Sequence, residues 1–322
     1  MRALITGAAG LVGSFLAKKL IEQGARVFCV DDLSLGSLRH LEDISTRDGF
    51  DFAKVDVSQS GWHEPLKHSG FDLMVHLAAN SDISLSHKFP ETDYSRTLKT
   101  TFETLVAARA LKVKNFMFSS SSAVYGAEPA FPTPETSPAM HPVSIYGAAK
   151  LASESFISAF VENYAVNAWV YRFGNVVGEK LTHGVIYDFI RRLIHEPTKL
   201  SVLGNGAQNK TYIDVEDCVE GMLCGFEKSP AGKSHKQRFQ IFNLSTTGST
   251  TVKEIAEEAS RRITNGHAKI EYQSSDVGWV GDVPKTSLSV EKILSLGWRP
   301  RYDSTPAVFR AIQTHYDWTQ KN

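Results

Sequence analysis

The sequence predicts an α/β fold, a doubly wound parallel sheet followed by a smaller C-terminal α/β lobe. Three observations point there. Short apolar or β-branched runs alternate with longer helix-periodic stretches through the first half of the 322 residues, and such alternation implies a parallel sheet with helices on both faces. The runs are continuously apolar, as strands buried on both sides are. Beyond about residue 174 the texture changes. Loops lengthen and enrich in Gly, Asn and Lys, as in VVGEKLTHG and LGNGAQNK, and strands become fewer.

In chain order the strand candidates are RALIT (2–6), ARVFCV (25–30), FDFAKV (50–55), LMVHLA (73–78), FMFSS (116–120) and AWVYRF (168–173). Helices are expected near 11–23, 59–68, 91–112 and 145–164. In the third of these, Leu98, Phe102, Leu105 and Ala108 recur at threes and fours, as one face of a helix should. Residues 1–174 read as one domain, rejoined by about 210–245, with 175–209 and 246–322 forming the second lobe. The charge-dense linker is KSPAGKSHKQR (228–238), and no internal repeat or low-complexity tract occurs.

Lysine plus arginine equals aspartate plus glutamate at 35 each, which leaves no electrostatic footprint for nucleic acid or an anionic membrane. An anionic ligand must then be held by local groups. Cys29, Cys218 and Cys224 form neither a disulfide framework nor a metal-ligand pattern, so no metal is expected. Cys29, inside VFCV, reads as a small core hydrophobe. No apolar run approaches the roughly 18 residues needed to span a bilayer. The chain opens on strand material, not on a charged leader, so the expected setting is a reducing cytoplasm.

Directly after the first strand comes TGAAGLVGS, with Gly7, Gly10 and Gly13 opening a helix. The strand–turn–helix context makes this a dinucleotide-binding pattern. The first glycine permits the tight turn, the second lets backbone approach a pyrophosphate, and the third lets the helix pack on the strand. Backbone N–H groups at the helix N-terminus then face the phosphates. The second strand ends in Asp31 and Asp32, where a carboxylate can accept from the adenosine ribose hydroxyls and repel a 2′-phosphate. No arginine follows before Arg39, so NAD is expected over NADP. Asp56, after FAKV, falls at another strand end, placed to meet the adenine amino group.

The fifth strand ends in a row of hydroxyls, SSSSAVYG (119–126). A polar strand end or a helix cap would account for such a row taken alone. Further on, SIYGAAK places Tyr146 and Lys150 four apart, on one face of a predicted helix. An ammonium beside a phenol favours the phenolate and lowers its pKa from about 10 toward working pH. Tyrosine then becomes a general base. A serine at the neighbouring strand tip can hydrogen-bond the same substrate oxygen.

Together, TGAAGLVG, HLAA, SSSSAVYG, YGAAK and RFGNVVG resemble the extended short-chain dehydrogenase/reductases, in particular the NAD-dependent epimerase/dehydratase family and its UDP-glucose 4-epimerases. The resemblance continues through GNGAQNKTYIDVEDC and GWVGDVP and covers nearly the whole chain. It implies a Rossmann-type NAD-binding domain and a sugar-nucleotide lobe. Ser121 is the implied catalytic hydroxyl, Tyr146 the base, and Lys150 its partner and the holder of the nicotinamide ribose. The implied cofactor site runs through Gly7, Gly10, Leu11, Val12, Gly13, Asp31, Asp32, Asp56, Val57, Leu77, Ala78 and Ala79. The implied UDP-sugar site comprises Ser121, Ser122, Tyr146, Asn175, Val185, Lys210 and Thr286. The reaction this implies is redox-neutral overall: C4 is oxidised, the 4-keto sugar turns over, and hydride returns to its other face. In the same family, the helix pairs corresponding to 91–112 and 145–164 build a homodimer interface.

Related 4,6-dehydratases carry Asp-Glu before VYG, and related decarboxylases a glutamate in the second position. Here Ser122 and Ala123 stand there, and neither can transfer a proton as a carboxylate does. Other positions depart from the family pattern. Its usual Arg-Asp-Tyr is Lys210-Thr211-Tyr212 here, and lysine neutralises a phosphate without the bidentate fork of arginine. A second diphosphate-binding arginine is replaced by Trp279, a cofactor-contacting lysine by Ser81, and a helix asparagine by Thr97. Thr286 stands where a bulky tyrosine excludes N-acetyl groups, so the wall near the sugar C2 is expected to recede.

The same residues leave other substrates open, namely a UDP-N-acetylhexosamine or a UDP-uronate. Asn175 leans against the uronate, for which threonine is usual. A nucleotide-sugar reductase using NADPH is disfavoured by Asp31. A non-catalytic NAD-sensing regulator is expected to lack Tyr146 or Lys150, and both are present.

Overall fold

The structure is a computed structural model and describes residues 1–321, apart from 84, 85, 87, 128, 129, 139, 230, 231, 233, 276–282 and 284. The first half builds β1 (Arg2–Thr6), α1 (Leu11–Glu22), β2 (Arg26–Asp31), β3 (Phe50–Lys54), β4 (Leu73–His76), α2 (Pro90–Asp93), α3 (Thr100–Ala110), β5 (Asn115–Ser121), α4 (Ile145–Tyr164) and β6 (Asn167–Phe173). There follow β7 (Asn175–Val177), α5 (Val185–His195), β8 (Lys199–Val202), β9 (Asn209–Lys210), β10 (Tyr212–Asp214), α6 (Val215–Lys228) and α7 (His235–Arg238). The chain ends with β11 (Phe239–Leu244), β12 (Thr250–Thr251), α8 (Val252–Thr264), β13 (Lys269–Tyr272), α9 (Glu291–Ser295) and α10 (Ser304–Gln320).

Seven strands form one parallel sheet in the order β3-β2-β1-β4-β5-β6-β11. This is the doubly wound architecture the alternation predicts. Strand order reverses between β1 and β4, and a crevice opens beyond the carboxyl ends at such a switch point. Alternate residues divide the core cleanly. Ala3, Ile5, Leu73, Val75 and Met117 join one cluster, whereas Leu4, Met74, Phe116 and Phe118 join another. Successive side chains of a strand point to opposite faces, so the two clusters lie on opposite sides of the sheet. Helices α1 and α6 contribute to the first cluster, α3 and α4 to the second. A third cluster gathers α5, β8, α8 and α10.

All six predicted strands form, within a residue or two of their expected bounds. The helices are less obedient. Residues 59–68 yield only a 3₁₀ turn, Glu64–Leu66. Gly61 and Gly70 adopt positive φ, 79° and 63°, and Pro65 lacks the N–H that a helix interior requires. The stretch near 91–112 is helical, but a π turn at Tyr94–Lys99 divides α2 from α3. A wider turn shifts the phase of the helix. Leu105 and Ala108 stay buried while Phe102 emerges to 39% exposure. The seam against the sheet is instead rich in threonine. Thr100, Thr101 and Thr104 return their hydroxyls to carbonyls one turn back and so enter the core as satisfied groups. Helix α4 begins where Ser144 accepts from the Gly147 N–H at 3.1 Å and ends at Ala165 in the left-handed region.

A buried ion pair ties three of these elements together. Arg172 on β6 donates to both carboxylate oxygens of Glu154 on α4, at 3.0 and 2.7 Å. The Ser120 hydroxyl of β5 donates to the same carboxylate. Arg172 also reaches the Tyr125 hydroxyl at 2.9 Å and the Glu135 carbonyl at 3.1 Å. With every polar atom of the pair engaged, truncating one partner strands a buried charge. Glu154→Leu or Arg172→Met is expected to cost about 3–5 kcal/mol in urea unfolding, and the double variant much less than the sum.

Candidate active site

The carboxyl ends of the strands face a cavity of about 770 Å³. Gly7, Gly10, Leu11, Val12, Gly13, Asp31, Asp32, Asp56, Val57, Leu77, Ala78 and Ala79 line it. So do Ser121, Ser122, Tyr146, Lys150, Asn175, Val185, Lys210 and Thr286. Residues far apart in sequence thus converge on one space. Ser81 lines it as well, whereas Thr97 does not: it is buried, and its hydroxyl accepts from the Asn80 N–H at 3.2 Å. Trp279 lies outside the described residues.

The glycine turn is packed as tightly as its pattern predicts. A Cβ on Gly7 would stand 2.6 Å from the Ala78 nitrogen, and one on Gly13 would stand 2.3 Å from the Gly7 carbonyl oxygen. Gly10 has only that same carbonyl nearby, at 3.3 Å, and otherwise opens toward the cavity. No side chain caps the start of α1, so its first N–H groups are left for an anionic ligand. Asp31 accepts from the N–H groups of Ala9 and Leu33 at 2.9 and 2.8 Å, and a carboxylate so engaged retains lone pairs for hydroxyl donors. Burial pushes its pKa up, opposed by those two N–H bonds. At Asp56 burial also pushes upward, but hydrogen bonds from Gln59 and Ser58 prevail and hold the carboxyl below its ordinary range. Arg39 is turned onto Trp318, its guanidinium 3.5 Å from the ring centroid.

Each of the four serines has a separate task. The Ser119 carbonyl accepts from Lys150 Nζ at 2.6 Å. Ser120 bonds Glu154. Ser121 stands close enough to Tyr146 for its side chain to draw the phenol pKa down, and its Oγ accepts from the Ala123 N–H at 3.2 Å. Ser122 opens the 3₁₀ turn that carries the chain away from the sheet. Strand pairing and α4 thereby bring Ser121, Tyr146 and Lys150 together.

The electrostatics differ from the expected pattern. Lys150 was expected to draw the phenol pKa down. Instead burial pushes Tyr146 well above its ordinary value, opposed by the Ser121 side chain and reinforced by the Asp93 carboxylate. The ammonium is drawn to the Ser119 carbonyl, and its nitrogen stands 5.7 Å from the Tyr146 ring centroid. Burial also lowers Lys150 to about 7, against the opposing pull of Glu154 and Asp93. The pair is held in a poorly solvated site where one added charge shifts both groups strongly.

Among the residues expected to meet the sugar nucleotide, Asn175 spends its side-chain N–H₂ on the Thr211 carbonyl, at 3.1 Å. The Thr286 hydroxyl is buried and has no partner among the described residues. His183 and Gln208 line the same cavity without any spacing in the sequence that signals them. Glu154 was also missed, although it stands four residues after Lys150 on the same helix, a spacing that could have disclosed it.

A model of the NAD dependent epimerase/dehydratase family matches residues 3–244. A UDP-glucose 4-epimerase of Mycolicibacterium smegmatis is 28% identical over 319 residues, covering 97% of this chain and 98% of that one. A human dTDP-D-glucose 4,6-dehydratase is also 28% identical, over 332 residues, covering 100% and 90%. A solved UDP-galactose 4-epimerase superposes with a TM-score of 0.86 at 33% identity, covering 100% and 99% of the two chains. The cofactor of this family is NAD, and the glycine turn with its uncapped helix start fits that dinucleotide.

Proposed function

Because the chain belongs to the NAD dependent epimerase/dehydratase family, we propose that it is a UDP-sugar 4-epimerase acting on UDP-glucose- and UDP-galactose-type sugars through a transient 4-keto sugar. One observation carries this reading: Ser121, Tyr146 and Lys150 converge on a cavity whose wall at the next two positions is Ser122 and Ala123. A dehydratase needs carboxylic acid and base chemistry to expel water, and those two side chains cannot provide it. The related UDP-glucose and UDP-galactose 4-epimerases support the same choice.

Residues 1–174, with about 210–245, would hold the dinucleotide, and 175–209 with 246–322 the sugar nucleotide. NAD, when bound, supplies reversible uptake of hydride from C4 and, in its oxidised form, a positively charged ring. In the free site the phenol keeps its proton; once deprotonated, as the positive charge of a bound dinucleotide would favour, Tyr146 would take the proton from the sugar O4 and later return it. Ser121 bonds the same oxygen and keeps the phenol aimed at it. Lys150, from its place beside Ser119, can reach the ribose. Lys210 neutralises the diphosphate as a point charge, and Val185, at the start of α5, packs against the nucleotide.

Substrate breadth follows from Thr286. A threonine leaves more room than an aromatic ring. The protein is also inferred to be a homodimer. Phe102 and Phe156 meet edge-to-face at 5.3 Å on adjoining helices, and both remain about 40% exposed, as does Tyr164. An exposed aromatic strip on two neighbouring helices suits an isologous interface.

Three outcomes are expected. Incubation with UDP-sugars followed by NMR should show epimers at C4, and Tyr146→Phe should lower turnover ~10²–10⁴-fold with little loss of sugar-nucleotide binding. Near-full turnover in that variant would remove Tyr146 as the base. UDP-N-acetylglucosamine should turn over within about tenfold of UDP-glucose, and Thr286→Tyr should slow the acetamido sugar selectively; equal slowing of both excludes Thr286 as the gate. Sedimentation at micromolar concentration should give a dimer, and a monomer there defeats the interface reading.

A further inference from the structure

We propose that His40 is a positioning residue for the dinucleotide, holding the glycine turn from behind through Ala9, with the end of α10 as its clamp. Ala9 lies inside the turn, between Gly7 and Gly10, and is fully buried. Its carbonyl accepts the Nδ1–H of His40 at 2.7 Å and the Ser37 N–H at 3.0 Å. Its own N–H donates to Asp31 at 2.9 Å. The peptide groups on the two sides of Ala9 are therefore fixed from opposite directions, one by a histidine and one by the carboxylate that faces the cavity. Gly36 presses on the same residue, since a Cβ there would lie 2.9 Å from the Ala9 carbonyl carbon.

The histidine is itself held. It is 1% exposed, and its ring lies 5.4 Å from the Trp318 ring near the end of α10. Arg39, the preceding residue, covers Trp318 and donates to its carbonyl at 2.7 Å. Lys180 donates to the His40 carbonyl at 2.8 Å, and His315 stacks on Trp318 from one turn earlier in the helix. A carbonyl can only accept, so Nδ1 carries the proton. Burial, together with the neighbouring Lys180, Arg39 and His315, lowers the imidazole to about 4, although the bond to Ala9 pulls the other way. His40 is then a neutral, permanently aimed donor near neutral pH.

Its effect on the cofactor is indirect. His40 does not line the cavity. What it sets is the orientation of the Ala9–Gly10 peptide, which adjoins the peptide whose N–H bonds Asp31 and leads into the start of α1. Without the donor, the Ala9 carbonyl keeps only the Ser37 N–H of its two bonds, and the turn is held less firmly from behind. The dinucleotide must then reorder the turn as it binds, at a cost in affinity.

The test is titration of cofactor-free protein with NAD by calorimetry, with UDP titrated separately as a control. His40→Ala should weaken NAD about tenfold, the scale of one buried hydrogen bond, and leave UDP within twofold of wild type. His40→Asn should restore NAD affinity to within about threefold, because a carboxamide N–H can reach the same carbonyl. Trp318→Ala should fall between them, since it loosens the clamp and leaves the donor. NAD affinity within twofold of wild type in His40→Ala overturns the proposal. So does an asparagine variant as weak as the alanine one, or a parallel loss of UDP affinity, which would mark a general loss of structure. Should His40→Ala not fold, Trp318→Ala decides, and unchanged NAD binding there overturns the assignment.

Discussion

The buried pair between Glu154 and Arg172 is the constraint on which the site depends. It joins α4 to β6 and, through Ser120, to β5. The end of β5 carries Ser121, α4 carries Tyr146 and Lys150, and β6 leads within two residues to Asn175. Two buried charges would be a liability if either lacked partners, because the desolvation of each costs several kcal/mol. Here the serine, the tyrosine hydroxyl and a carbonyl complete the set. The arrangement tolerates little slack, and so neither does the spacing of the reactive groups. It also bears on the lysine: Glu154 stands one turn beyond Lys150 and is the largest influence opposing the burial that lowers that amine.

Much of the fold was legible in the residues. Strands buried on both faces read as unbroken apolar runs, and all six were found where those runs lie. The glycine turn was legible for a steric reason, since two of its three positions have no room for a side chain. Residues 59–68 were misread because periodicity alone ignores Gly61 and Pro65, which leave only a 3₁₀ turn. The helix near 91–112 was recognised, but its buried face was not. Threonines line it, and they are admitted to the core because their hydroxyls are satisfied by the helix itself.

The site divides along the same line. Tyr146 and Lys150 were legible because they sit four apart on one helix. The task of each serine was not, because it depends on which groups β4, α4 and the 3₁₀ turn bring to β5. The charge state of the tyrosine was not legible either, since it follows from burial and from the preference of Lys150 for the Ser119 carbonyl. The part of the cavity expected to take the substrate was the least readable. It is assembled from two- and three-residue strands and from loops, so Lys210, Thr286, His183 and Gln208 meet across long sequence separations.

On the 4-epimerase reading proposed above, a hydroxyl pair, Ser121 and Tyr146, would control one oxygen of a sugar while hydride leaves and returns at the carbon that bears it. The hydride never meets solvent on that account. The most direct measurement is therefore the fate of an isotope at that carbon. UDP-glucose deuterated at C4 should give UDP-galactose with the deuterium still at C4 and with none incorporated from D₂O when the unlabelled sugar is used. Loss of the label to water, or entry of solvent deuterium at C4 or C5, would contradict hydride return within the pocket and would indicate proton abstraction from carbon instead.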